Sequence, residues 1–260
     1  MNIIFFVISF LASIIGAICG IGGGVIIKPV LDAFGSLGIS TINFLSCCTV
    51  LSMTCYSVIM SKLKHETLID MSISTFLGLG AAVGGMIGKN LFQYIKDMYE
   101  NVNMVGVIQS IILFVITLGT LIYIINKNHI HTYQTKNKIS CVLIGLFLGA
   151  MSSFLGIGGG PINLVVLYFF FSMSTKVAAQ NSLYIILISQ LFSLAASIVT
   201  KTIPDFSYSL LVGMMISGIL GGIVGRMINK KIATQIVDKL FIGLMGIIIV
   251  ICLYNTYQYL

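Results

Sequence analysis

The sequence predicts an all-α integral membrane protein made of two related halves arranged as inverted repeats. Each half is expected to hold one glycine-broken re-entrant segment and three transmembrane helices. Three observations carry this: an apolar composition, a glycine break that occurs twice, and the placement of the Lys and Arg residues. Of the 260 residues, 58% are hydrophobic and 8% are charged. A soluble domain carries about 25% charged residues, so little of this chain is built for water. Apolar segments fall near 3–18, 25–35, 41–61, 70–88, 104–126, 139–155, 161–173, 177–200, 206–225 and 236–257. Most approach the roughly 20 residues needed to span a bilayer, but 25–35 and 161–173 are too short to cross alone. Backbone in lipid must satisfy its own hydrogen bonds, so the crossing elements are helices. The runs are continuously apolar rather than alternating, which excludes a β-barrel.

The glycine break is the second observation. "GAICGIGGGVIIKPVL" (16–31) returns as "GAMSSFLGIGGGPINLVVL" (149–167), and "CGIGGGVI" matches "LGIGGGPI" at an offset of 136. "STINFLSCC" (40–48) pairs weakly with "STKVAAQNS" (174–182) at 134, and "GAAVGGMIGK" (80–89) pairs with "SGILGGIVGR" (217–226) at 137. Blocks in the same order at a near-constant offset mark an internal duplication. The expected organisation is a first repeat over 1–125, a polar linker over 126–138 ("NKNHIHTYQTKNK") and a second repeat over 139–260. Small residues at spacing four (Gly80, Gly84, Gly88; Ser217, Gly221, Gly225) read as ridges for close helix packing. Lys89 and Arg226 close the two ridges and read as interface anchors.

The third observation is topological. If 3–35 and 139–173 return to their starting side, one face collects Lys62, Lys64, Lys127, Lys136, Lys138, Lys176, Arg226, Lys230, Lys231 and Lys239. The other keeps only Lys28, Lys89, Lys96 and Lys201. Ten against four is a positive-inside signal, whereas full crossings by every segment split the charges eight against six. The expected topology is six crossings and two hairpins, with both termini outside and the 126–138 linker cytoplasmic. The first apolar run has no Lys or Arg ahead of it, so it reads as mature protein rather than a signal peptide.

The breaks suggest a chemistry. Three consecutive glycines disfavour helix by roughly 1 kcal/mol each and are tolerated at membrane depth where backbone lines a cavity. Pro161 follows Gly158, Gly159 and Gly160, and proline suits the first position of a helix. A half-helix therefore starts near 161 and its counterpart near Val25, each presenting free N–H groups and a positive dipole end. Such discontinuous helices face anionic groups in repeat transporters. The candidate substrate-binding residues are Gly22, Gly23, Gly24, Lys28, Gly158, Gly159, Gly160, Asn163, Gln180 and Asn181. Lys28 is an intramembrane charge, a functional feature by default, although Asp32 four residues on can pair with it. The second half has Leu164 at the matching position, so a Lys28 site is asymmetric. Ser46, Cys47 and Cys48 are looser counterparts of Gln180, Asn181 and Ser182. Gln109 and Gln190 read as interhelical glue.

Other functions find little support. Cys19, Cys47, Cys48, Cys55, Cys141 and Cys252 lack CxxC spacing and read as small buried apolar residues. His65–Glu66 has no second histidine at zincin spacing, and no GxSxG or Walker A sequence occurs. No metal or cofactor is called for, and the charge of +7 forms no basic stripe for nucleic acid. The expected partners are a small anionic substrate and the lipid bilayer, with no nucleic acid, and the sequence leaves room for a homo-oligomer. The two "GIGGG" breaks with the paired "GGxxG[KR]" blocks resemble the TauE/SafE sulfite exporter-like permeases across the whole chain. The second half departs by carrying Val165 where the first has Pro29. The resemblance implies a secondary permease of the cell membrane for a sulfur oxyanion or organosulfonate. An interior-negative potential favours export of such an anion by about 2.3 kcal/mol per charge per 100 mV. The alternatives are an anion channel and a membrane enzyme without a recognisable motif.

Overall fold

Ten α-helices and one 3-10 turn make up the regular structure of the computed structural model, which describes residues 2–64, 68–98, 102–135 and 137–259. His65 and Glu66 lie outside the described residues. The first half holds α1 (Asn2–Cys19), α2 (Gly24–Phe34), α3 (Ile39–Leu63), α4 (Met71–Met98) and α5 (Val102–Asn126). A 3-10 turn (Lys127–His129) leads to α6 (Lys138–Phe154), α7 (Pro161–Phe171), α8 (Thr175–Val199), α9 (Tyr208–Lys231) and α10 (Thr234–Tyr259). No strand occurs among the described residues. Seven helices (α1, α3, α4, α5, α8, α9 and α10) are long and apolar enough to cross a membrane. The other three, α2, α6 and α7, hold 11, 17 and 11 residues.

Eight of the ten apolar segments match their helices within a few residues. The exceptions are α4 and α9, which run on to Met98 and Lys231 instead of stopping near 88 and 225. The physical reason is simple: Lys and Arg are good helix formers, so a charge ends an apolar window without ending a helix.

Both short helices are set off by the same backbone device. Gly20 (φ 77°) and Gly22 (φ 70°) in the first break correspond to Gly156 (φ 66°) and Gly158 (φ 67°) in the second. These left-handed values suit glycine and turn the chain between helices. Pro161 starts α7 as expected, behind an extended Gly160. The half-helices also end alike, in left-handed caps at Gly35 (φ 60°) and Ser172 (φ 51°). The start of α1 and the end of α2 lie together, with the Phe5 and Phe34 rings 6.2 Å apart. The 126–138 segment runs beside the end of α7, where Tyr133 and Thr135 N–H groups donate to the Phe169 and Phe170 carbonyls.

The two halves pack on each other through matched pairs. Helix α4 lies on α6 with Gly80, Gly84 and Gly88 against the carbonyls of Val142, Leu146 and Ala150. Helix α9 lies on α1 with Gly221 and Gly225 against the carbonyls of Phe10 and Ile14. The small-residue ridges are therefore packing surfaces. Helices α3 and α8 run antiparallel: Cys47 meets Gln190, and Ser61 meets Gln180. Gly20 abuts Ala179 and Gly156 abuts Asn43, which fixes the register of α3 against α8 at an offset of 136. The offset of 134 is thereby corrected, and Ser46, not Cys48, corresponds to Ser182.

A methyl group at Gly84 would land on the Leu146 carbonyl, which is backbone and cannot step aside. Gly84→Ala is expected to lower stability by about 1–3 kcal/mol, as overpacking does. Its signature is reduced yield and melting temperature with an unchanged apparent KM for transport in the surviving protein.

Candidate functional site

The two glycine breaks meet at the centre of the bundle. A Cβ on Gly24 would fall on the Ile157 carbonyl, and one on Gly159 would lie 3.3 Å from the Ile21 carbonyl. Each break thus crosses directly over the other, which only residues without side chains permit. Val50 on α3 and Ile186 on α8, again 136 residues apart, rest on this crossing. Val50 sits 3.2 Å from the Cβ position of Gly22 and 3.5 Å from that of Gly158, while Ile186 covers Gly22 and Gly159. Both side chains are buried.

A cavity opens on either side of the crossing. One, of about 240 Å³, lies among the ends of α1, α3 and α9 and the start of α8, and contains Lys176, Gln180, Arg226 and Lys230. The other, of about 300 Å³, lies among the ends of α4, α6 and α8 and the start of α3, and contains Lys89, Lys96, Cys47 and Gln190. The linings correspond nearly position for position between the halves. Ser57, Ser61 and Arg226 in the first answer to Ser193, Ser197 and Lys89 in the second. No carboxylate occurs among the described residues lining either cavity. Lys89 donates to Ser197, Lys96 to Ser40 at 3.1 Å, and Lys176 to the Ile232 carbonyl at 2.7 Å.

Several of the buried polar atoms without a hydrogen-bond partner lie on or near the breaks or on the helices beside them: the hydroxyls of Ser13, Ser46 and Ser182, and Oδ1 of Asn163. Ser13 and Ser46 lie 3.2 and 3.1 Å from the Cβ positions of Gly23 and Gly24. Asn163 lines a void of about 10 Å³ with Gly158, Gly159, Ser152, Ser189 and Ile186, a space near the lower limit for one water molecule. Orphaned polar groups in a dry interior are costly, which makes Ser46, beside Gly24, and Asn163, in the void, candidates for contact with a ligand or an ordered water.

Not all candidate residues converge there. Gly22, Gly24, Gly158 and Gly159 form the crossing, and Asn163 lines its small void. Gly23 faces α1 instead, near Ser13 and the Ala12 carbonyl, and Gly160 approaches the side chains of Ile157 and Ile162. Gln180 lines the Arg226 cavity, where its Oε1 accepts from the Leu68 N–H at 2.9 Å. Asn181 is committed to structure: Oδ1 accepts from Asp70 N–H and the Ser74 hydroxyl, and Nδ2 donates to the Leu68 and Val177 carbonyls. Lys28 lines neither cavity. It is buried and paired with Asp32 at 2.7 Å, on the part of α2 that Asn255 of α10 holds through the Pro29 carbonyl.

Sequence reasoning passed over Lys89 and Arg226, the matched cations of the two cavities, by reading them as anchors. The signal was present, since both halves carry a cation directly after "GGxxG", whereas Lys28 has no counterpart. Gln109 is glue as expected, donating to the Phe154 carbonyl at 2.6 Å; Gln190 also bridges helices, accepting from Cys47 of α3, and in addition lies in a cavity wall.

A multi-pass bundle with two matched, cation-lined cavities meeting at a central crossing has the architecture of a membrane transporter. The chain matches the sulfite exporter TauE/SafE family over residues 5–252. It belongs to that family and is a multi-pass transporter of the cell membrane. It is also 26% identical, over 219 residues covering 73% of this chain and 75% of the relative, to the "Probable membrane transporter protein YunE" of Bacillus subtilis (strain 168). No solved structure gives a significant match.

Proposed function

We propose that this protein is a secondary permease for a small anion, a sulfur oxyanion or organosulfonate, working by alternating access. The observation that carries the reading is the pair of matched cavities, each with cations and no carboxylate among its described lining residues, on either side of the crossed breaks. Cations in a low-dielectric wall concentrate anions, and the half-helix starts add N–H groups where the cavities approach one another. The family name supplies the sulfur chemistry.

The antiparallel run of α3 against α8 supports two inverted repeats, 1–125 and 139–260, joined by the 126–138 linker. Contact between Phe5 and Phe34 supports α1–α2 as a hairpin that returns to its starting side. The bonds from Tyr133 and Thr135 to the end of α7 support the same for α6–α7. With both hairpins re-entrant, the ten-to-four split of Lys and Arg makes the face of the Arg226 cavity cytoplasmic and that of the Lys89 cavity external. The membrane potential then drives the anion outward, and the protein is an exporter.

Burial of Val50 and Ile186 between the cavities favours a carrier over a channel, because these packed side chains separate the two sides among the described residues. The test is flux of sulfite, sulfate, thiosulfate and taurine in liposomes holding the purified protein. At least one is expected to move saturably and to show counterflow. Movement without saturation or counterflow is the channel result, and no movement of any anion at any potential removes the permease reading.

A further inference from the structure

We propose that Gln190 determines specificity for oxyanions at the Lys89 cavity, and that Cys47 is the positioning residue that aims its carboxamide. The inference rests on the anion-permease reading and adds to it the group that reads oxygen geometry on the Lys89 face.

Gln190 is 2% exposed, yet it lines the Lys89 cavity together with Cys47, Lys89 and Gly158. An amide carries an acceptor at one end and two donors at the other. The Cys47 thiol donates to Oε1, which leaves Nε2 on the side of Gly158. There Nε2 lies 3.2 Å from the point a Cβ would occupy, so the left-handed glycine leaves the donors unscreened. Lys89 supplies charge to the same space, but an ammonium is a compact cation that attracts any anion. The amide supplies direction, because its N–H groups reward an acceptor oxygen held at a defined place.

The other cavity lacks this device. At the register of 136, Cys47 corresponds to Leu183 and Gln190 to Thr54. Leu183 lines the Arg226 cavity, while the buried Thr54 hydroxyl donates back to the Val50 carbonyl at 2.9 Å. That face therefore has Lys176, Arg226 and Lys230 for charge, with Leu183 where the opposite face has a thiol-held amide. The two faces read the anion with different groups: one with the Arg226 guanidinium and the Gln180 amide held by the Leu68 N–H, the other with a compact ammonium and a thiol-held amide beside the crossing. A spherical halide meets the charge but gains less from the directed amide than an oxyanion does.

The experiment measures apparent KM for sulfite (or sulfate, if the wild type prefers it) and inhibition by chloride in proteoliposomes. Gln190→Leu is expected to raise the oxyanion KM about tenfold or more, the worth of one hydrogen bond to a charged group. Chloride inhibition should stay where it was, so the preference for oxyanion over halide falls by the same factor. Gln190→Glu turns a carboxylate toward the anion and is expected to stop oxyanion flux. Cys47→Ala should raise KM several-fold at unchanged kcat, and Cys47→Ser, which keeps an O–H donor, should restore it. If Gln190→Leu does not fold, Gln190→Asn draws the amide back by one methylene and should lower the same preference. Unchanged preference in the folded Gln190 variant, or Cys47→Ser no better than Cys47→Ala, overturns the assignment. A wild type that moves no anion defeats the permease reading instead, and that result is visible before any variant is made.

Discussion

Lys89→Glu is expected to lower anion flux at least 100-fold, while Lys239→Glu, an equal change of charge at an exposed site outside both cavities, leaves it within about twofold. Two unit charges 4 Å apart interact by about 4 kcal/mol at an effective dielectric constant of 20. Reversing the sign converts an attraction of that order into a repulsion, and 100-fold corresponds to only about 2.7 kcal/mol. Solvent in the open cavity weakens the effect but does not change its direction. Lys89→Gln should fall between, near tenfold, and Lys89→Arg should keep most of the flux. Initial rates in proteoliposomes at equal protein content give the comparison. Equal losses for Lys89→Glu and Lys239→Glu would mean that net charge, not the cavity, governs flux, and the site would have to be sought elsewhere.

The helices were legible because apolar runs of bilayer length, broken by Gly and Pro, admit few other readings. The half-helices were legible because Pro161 and the triple glycines leave little choice about where a helix restarts. What the sequence concealed was direction. Lys89 comes directly after Gly88, whose face packs against α6, but it sits on the side of Gly85, where it donates to Ser197 of α8, and nothing in a linear reading reveals that a cavity lies there. The cavity role of Gln190 was hidden in the same way, since a glutamine that bridges helices looks the same in sequence whether or not it also lines a wall. The slip in register, 134 for 136, kept Ser46 and Ser182 from being recognised as a pair. Gly20 against Ala179 and Gly156 against Asn43 fix that register, through close contacts at glycines that leave no sequence trace. Lys28 illustrates the opposite case: an intramembrane charge is conspicuous in a sequence, and its partner four residues on is just as plain.

That ion pair carries the second large effect. Lys28 and Asp32 have side-chain exposures of 4% and 3% and lie 2.7 Å apart within α2. Removing one partner of a buried pair strands the other charge, at a cost of roughly 3–5 kcal/mol. Asp32 is poorly placed to absorb the loss, since its Oδ1 already has no hydrogen-bond partner. Lys28→Ala is therefore expected to lower the melting temperature by about 10 °C, at the usual 2–4 °C per kcal/mol for a chain of this size. Labelling of the cysteines by a thiol-reactive dye reports the melting directly, because Cys19, Cys48, Cys141 and Cys252 are buried until the bundle opens. Replacing both partners with apolar residues of similar volume, Lys28→Met with Asp32→Leu, leaves no stranded charge and should return stability close to the wild-type level. Transport separates the two roles the pair could have. A structural pair predicts that the double variant carries anions with an unchanged apparent KM, because Lys28 lines neither cavity. Should the double variant fold normally and still lose anion affinity at several ionic strengths, Lys28 belongs to the binding site, and the substrate path must pass along α2 rather than between the Lys89 and Arg226 cavities.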